Sequence, residues 1–178
     1  KNAVMAVWAS NALAKRCGFK KINHAAVTKG LETVNIAGRF EIVKQKPIVV
    51  LDSAHNPDKM KSFVRLVRKL FKSQNVNLVL GFKKGKDYED MMTVLNSLKP
   101  KKVMLTEFAN KSLKPLDATA ALGAARIHFK KPAILSINFN ARKAVKEMIE
   151  RVKVEEVIIV TGSMYLVGEV SHIWEKVE

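Results

Sequence analysis

Residues 48–63 read IVVLDSAHNPDKMKSF. Four consecutive apolar residues, Ile48 to Leu51, have the form of a strand buried on both faces. Polar side chains follow at once: Asp52, Ser53, His55 and Asn56. Pro57 suits the first position of a helix. Beyond it Met60, Phe63, Val64, Val67, Leu70 and Phe71 recur at helical spacing, with Lys61, Arg65, Arg68 and Lys69 between them. The stretch is a strand, a polar turn and a helix. In an open parallel sheet such a turn lies at the carboxyl end of a strand, where ligands bind.

The same alternation continues outward. Phe40 to Val43 precedes Ile48 to Leu51 across a short KQKP connection, which suits a hairpin. Strands are expected at Val76–Leu80, Val103–Thr106, Ala133–Ile137 and Val157–Val160. Helices are expected at Tyr88–Leu98 with Asp87 as N-cap, Pro115–Phe129, Ala141–Val152 and Met164–Lys176. Short continuous apolar strands alternating with helices predict a mainly parallel α/β sheet with helices on both faces. Before it, Asn2–Arg16 is an alanine-rich helix stopping at Gly18, and Ile22–Leu31 is a shorter one. These two hold too little apolar surface to stand alone. A boundary is expected near Val34–Gly38, which divides the chain into 1–36 and 37–178.

The 178 residues are 48% hydrophobic, enough for one sizeable core. No run of about 18 apolar residues occurs, and no secretory signal is visible, so a cytoplasmic location is expected. The single cysteine, Cys17, allows no internal disulfide, in keeping with a reducing compartment. The net charge of +16 comes from 32 Lys and Arg against 16 Asp and Glu. The basic residues are spread along the chain, as in KKGK and KPKK, without interleaved aromatics. That pattern suits a solvated lysine-rich surface, with attraction for nucleotide phosphates, better than a nucleic-acid platform. The chain starts at Lys1 rather than methionine, which carries the expectation of a missing upstream part.

Two strand ends carry chemistry. At the first, Asp52 can accept hydrogen bonds from a ribose, an amine or a cation, and His55 can donate to a carboxylate or phosphate. Asp52 and Asn56 can equally be helix caps. At the second, Thr161-Gly162-Ser163 leads a strand into a helix, and a Gly-Ser turn can offer N–H groups and a hydroxyl to an anion. Ser163 can equally be only an N-cap. GFKKGKD at 81–87 is a basic turn without the serine or threonine of a phosphate loop. The four histidines are dispersed and no CxxC or HxxxH pair exists, so no metal ligands are assigned. No Ser-His-Asp arrangement stands out.

Together GRFEIV (38–43), LDSAHNP (51–57), GFKKGKD (81–87) and TGSMYLVGEV (161–170) resemble the C-terminal domain of the folylpolyglutamate synthase/dihydrofolate synthase family, within the Mur ligase superfamily. The opening KNAVMAVWASNALA resembles the last helices of that family's central ATPase domain. The resemblance implies a Rossmann-like Mur ligase C-terminal domain over 37–178, preceded by ATPase-domain helices over 1–36. It implies ATP contacts from Arg39, Asp52 and Asn56, and glutamate contacts from His55 and Ser163.

The reaction implied is an amide ligation. ATP phosphorylates a folate carboxylate, and the amine of L-glutamate displaces phosphate from the acyl phosphate. Mg2+ is implied as cofactor, its ligands expected in the N-terminal ATPase domain together with the phosphate loop. The partners implied are ATP, L-glutamate, folate or dihydropteroate, and that ATPase domain, with no membrane and a monomeric state. Alone, the chain is expected to be inactive and to represent about 40% of the enzyme. Two departures stand out: Ser53 replaces a common glycine, and Asn110-Lys111 occupies a region where an arginine is common. Another amino-acid ligase of the superfamily, or a standalone nucleotide- or nucleic-acid-binding module, are the alternatives.

Overall fold

The computed structural model describes residues 2–20, 22–34, 36–129 and 133–174. The chain forms two compact units, Lys1–Ile36 and Ala37–Glu178. The first contains helices α1 (Asn2–Arg16) and α2 (His24–Thr33). Its large apolar side chains lie mostly in the open: Val4, Met5, Trp8, Leu13 and Phe19 are all exposed. Ala14 is the one buried core residue described there. A hollow of about 300 Å³ is lined by Ala3, Val4, Val7, Trp8 and Asn11 of α1 and Leu31 of α2.

The second unit runs β1 (Glu41–Gln45), β2 (Ile48–Leu51), α3 (Pro57–Leu70), β3 (Val76–Leu80), α4 (Tyr88–Asn96) and β4 (Lys102–Leu105). A 3-10 turn at Lys111–Leu113 follows, then α5 (Ala118–His128), β5 (Ile134–Ile137), α6 (Ala141–Arg151), β6 (Val157–Thr161) and α7 (Met164–Ser171). The six strands form one sheet in the order β1-β2-β6-β3-β4-β5. β1 pairs antiparallel with β2, and every other pairing is parallel. The mainly parallel sheet with an opening hairpin is thus present.

Period-two alternation divides the strand residues between two cores. Val50, Leu78, Leu80, Val103, Leu105, Val157 and Ile159 face one layer. Val49, Leu51, Val79, Met104, Ile158 and Val160 face the other. The first layer is α3, α4 and α5. In α3 the buried residues Met60, Phe63, Val64 and Val67 make one helical stripe. The second layer is α6 and α7. The connections β2–β3, β3–β4 and β4–β5 all step across the sheet in one direction, so one crossover hand puts their helices on one face. The β5–β6 connection steps back, and α6 falls on the opposite face. β6 is thereby threaded between β2 and β3, fully buried along its length.

Several expected boundaries moved. The helix expected from Pro115 starts at Ala118, because Pro115 forms a β-bridge with Lys83 and Leu116 N–H donates to Phe82 O at 2.8 Å. Asp117 becomes the N-cap, accepting from Thr119 and Ala120 N–H. Asp87 holds the N-cap position of α4 but its side chain makes no capping bond. The first strand runs to Gln45 rather than Val43, and the strand expected from Ala133 begins at Ile134. The last helix ends at Ser171, and the expected end at Lys176 lies outside the described residues.

Candidate active-site cleft

β2 and β6 are hydrogen-bonded neighbours, yet the helices that leave them go to opposite faces of the sheet: α3 to one, α7 to the other. A crevice at the carboxyl ends of the strands results, which is where ligands sit in open α/β sheets. Asp52 to Asn56 closes one side of it. Gly162 and Ser163 close the other.

On the β2 side the polar residues knit two segments together. Asp52 is buried, 8% exposed, and its two oxygens accept from Phe40 N–H at 2.9 Å and Ala54 N–H at 2.8 Å. Ser53 N–H and Oγ both donate to Gly38 O, at 2.8 and 2.9 Å. These bonds pin the Gly38–Phe40 turn to the end of β2 and leave Arg39 exposed beside Asp52. Burial pushes the Asp52 carboxyl above its ordinary 3.8, against the two N–H bonds and the Arg39 charge, which pull it down. Ser53 is not in the left-handed region, so glycine is not required there. Its hydroxyl instead adds a bond to the turn.

Gly38 does need to be glycine. Its φ is +66°, and a Cβ there would meet Val167 Cγ1 of α7 at 2.9 Å. Asn56 caps α3, its Oδ1 accepting from Lys59 N–H at 2.9 Å. The cap expected of Asn56 is therefore made. Asp52 does not cap α3.

On the β6 side Gly162 has φ +108°, and a Cβ would lie 2.8 Å from Phe82 Cε1 and 2.9 Å from Gly81 O. That close approach lets the turn after β6 rest on the turn after β3. Ser163 is buried and its Oγ accepts from Tyr165 N–H at 3.1 Å, capping α7. A cleft of about 160 Å³ opens here, lined by His55, Lys83, Lys86, Gly162, Ser163, Met164 and Tyr165. Lys83 Nζ lies 5.9 Å from the centre of the Tyr165 ring.

The five residues singled out from sequence fall into two neighbouring groups. His55 and Ser163, 108 positions apart by subtraction of their numbers, line one cleft. Arg39 and Asp52 stand together at the Gly38–Phe40 turn, with Asn56 at the head of α3. Lys86, Lys83 and Tyr165 were not singled out. The two lysines were visible only as part of a basic turn, and nothing in sequence tied that turn to Ser163. In the TEFANKSLKP segment Asn110 Oδ1 accepts from Ser112 N–H and Oγ, opening the 3-10 turn. Among the described residues no group of three or more His, Cys, Asp or Glu could hold a metal ion. Magnesium therefore finds no fitting donor set among the described residues. No helix among the described residues is long and apolar enough to cross a membrane.

Known proteins resemble this chain in sequence and in fold. A dihydrofolate synthase/folylpolyglutamate synthase of Bacillus subtilis is 24% identical over 170 residues, 95% of this chain and 37% of that one. The folylpolyglutamate synthase structure from Thermotoga maritima is 28% identical with a TM-score of 0.69, covering 87% of this chain and 34% of that one. The Mycobacterium tuberculosis folylpolyglutamate synthase structure complexed with ADP and AMPPCP superposes with a TM-score of 0.77 at 24% identity, covering 92% of this chain and 37% of that one. The chain thus spans about a third of the length of such relatives. Residues 38–164 match the family described as Mur ligase, glutamate ligase domain. The chain belongs to that family.

Proposed function

We propose that this chain is the glutamate-ligating portion of an ATP-dependent folate–glutamate ligase. One observation carries the reading: His55 and Ser163, drawn from distant strand ends, line a single cleft with Lys83 and Lys86. Two ammonium groups in a small cleft suit an amino acid bearing carboxylates. Arg39, exposed beside Asp52, suits a nucleotide phosphate or base. In this reading the residues Lys1–Ile36 belong to the ATPase domain, and the phosphate loop, the magnesium ligands and most of the folate site come from that domain.

The chemistry follows from the substrates. A folate carboxylate takes the terminal phosphoryl group of ATP, releasing ADP. The glutamate amine attacks the acyl carbon, an amide forms, and phosphate leaves. This chain's residues bind and orient the amino acid and close over the nucleotide, excluding water. Folate and dihydropteroate are both admissible acceptors.

The test is glutamate incorporation by the intact ligase, phosphate-loop domain included, with ATP and a panel of acid acceptors. Incorporation into folate or dihydropteroate is expected. Arg39→Ala and Asp52→Ala should raise the KM for ATP roughly tenfold, and His55→Ala and Ser163→Ala the KM for glutamate by a similar factor. Use of a cell-wall precursor acid instead would make this another ligase of the superfamily. No ligation at all, with steeply salt-dependent nucleic-acid binding, would make it a binding module.

A further inference from the structure

The His55 ring has two nitrogens, and both are committed. Nδ1 lies 2.8 Å from the Ser53 carbonyl oxygen. A carbonyl can only accept, so Nδ1 carries the proton. Nε2 lies 3.0 Å from Nζ of Lys59. An ammonium can only donate, so Nε2 is the bare acceptor. His55 lines the cleft yet has no N–H left for an anion in it. The ammonium it holds stands beside the cleft, next to the lining residue His55, and uses one of its three N–H groups on Nε2.

Lys59 is fixed at two points by the preceding pair of residues. Asn56 Oδ1 accepts from its backbone N–H at 2.9 Å, and His55 Nε2 accepts from its side chain. The side chain is exposed. The ion pairs described elsewhere leave it out: the adjacent Asp58 pairs with Lys61 instead, at 3.4 Å. A cation in the first turn of a helix also opposes the helix dipole. Lys59 thus adds nothing to α3 through the dipole, and a bound anion would offset its charge.

We propose that Lys59, not His55, makes the direct contact to the substrate oxyanion at this end of the cleft, and that His55 is a positioning residue that aims the ammonium. This rests on the reading of the cleft as the substrate site of an acid–amino-acid ligase. The oxyanion is a carboxylate of the amino acid or a phosphoryl oxygen of the nucleotide. Lys83 and Lys86 then face the same ligand from the β3–α4 turn.

The first measurement is the tautomer of His55 in the 178-residue chain, by long-range 1H–15N NMR. The Nδ1–H form is expected, and an Nε2–H ring would overturn the proposal, because His55 could then donate by itself. Next, L-glutamate and ATP are titrated separately to tens of millimolar. Lys59→Met should weaken one of the two by about tenfold, and Lys59→Arg should restore most of it. Which anion responds identifies the source of the oxyanion. His55→Ala should weaken the same anion, and His55→Gln, which keeps an acceptor for Nζ, should recover part of the loss. Unchanged affinity in Lys59→Met, or no binding of either anion by the unaltered chain, would overturn the contact. An intact ligase that fails to add glutamate, while the Lys59 dependence persists, would remove the ligase reading and leave the contact standing.

Discussion

Asp52 is held by opposing forces. Burial disfavours its charge, while two backbone N–H groups and Arg39 favour it, and burial dominates, so its carboxyl titrates above 3.8. Such a group adds stability that is complete below the unfolded value and is lost as pH rises through the raised folded one. Glu156, at the far end of the sheet, behaves in the opposite sense. Burial is the largest single influence and would raise it, but hydrogen bonds from Asn77 and Lys101 together with the charges of Lys101 and Lys102 outweigh it and lower the carboxyl below 4.5. Its contribution is present above 4.5 and lost as pH falls through the lowered value. Urea midpoints measured from about pH 3 to about pH 7 should separate them. Asp52→Ala should abolish the decline on raising pH, and Glu156→Gln the decline on lowering it. Asp52→Ala should also cost about 1–3 kcal/mol at every pH, since Phe40 and Ala54 N–H lose their acceptor. Sequence showed Asp52 as a polar residue at a strand end. Its tie to Phe40, twelve positions earlier, depends on the hairpin closing and could not be read from local pattern. The His55–Lys59 pair joins the residue before the Asn56 N-cap to the first turn of α3, so the i, i+4 pattern of a continuous helix does not show it.

Among the elements, the α3 and α7 starts combine an observed cap with a proposed ligand contact. Asn56 and Ser163 are N-caps by geometry and candidate ligand contacts by position. The two roles separate experimentally. Asn56→Ala and Ser163→Ala should each lower stability by about 1 kcal/mol in chemical denaturation. Asn56→Asp and Ser163→Asp keep a capping oxygen and should retain most of that stability. If the Asp variants still bind substrate poorly, the side chains do more than cap. Strands β2 and β3 have the bounds expected from their apolar runs, because local pattern and tertiary packing agree there, and α1 has the bounds expected from its alanine content. The start of α5 did not follow local pattern. Proline at 115 is a good first helical residue, but the bridge to Lys83 holds it extended.

For the whole molecule, the division of the core predicts which part folds by itself. Residues 37–178 bury two apolar layers against a six-stranded sheet, whereas 1–36 leaves most of its large apolar side chains exposed. Expressed separately, 37–178 should unfold cooperatively on heating, while 1–36 should show little helix by circular dichroism. A cooperative 1–36 fragment would mean that its two helices need no further partner. The α/β alternation was legible because fully buried strands read as continuous apolar runs. Strand order was not, because periodicity says nothing about which strand lies beside which.

The position of β6 between β2 and β3 also governs when the cleft can exist. During synthesis β2 and β3 emerge before β6, and the slot between them stays open until residues 157–161 have left the ribosome. A nascent chain that has made His55 has not yet made Ser163, and it has no strand to hold the two turns side by side. The cleft is therefore assembled only once β6 is in place, rather than grown outward from an early nucleus. A ligand present during synthesis could bind only after that step, acting as a latch on a finished sheet and not as a template for it.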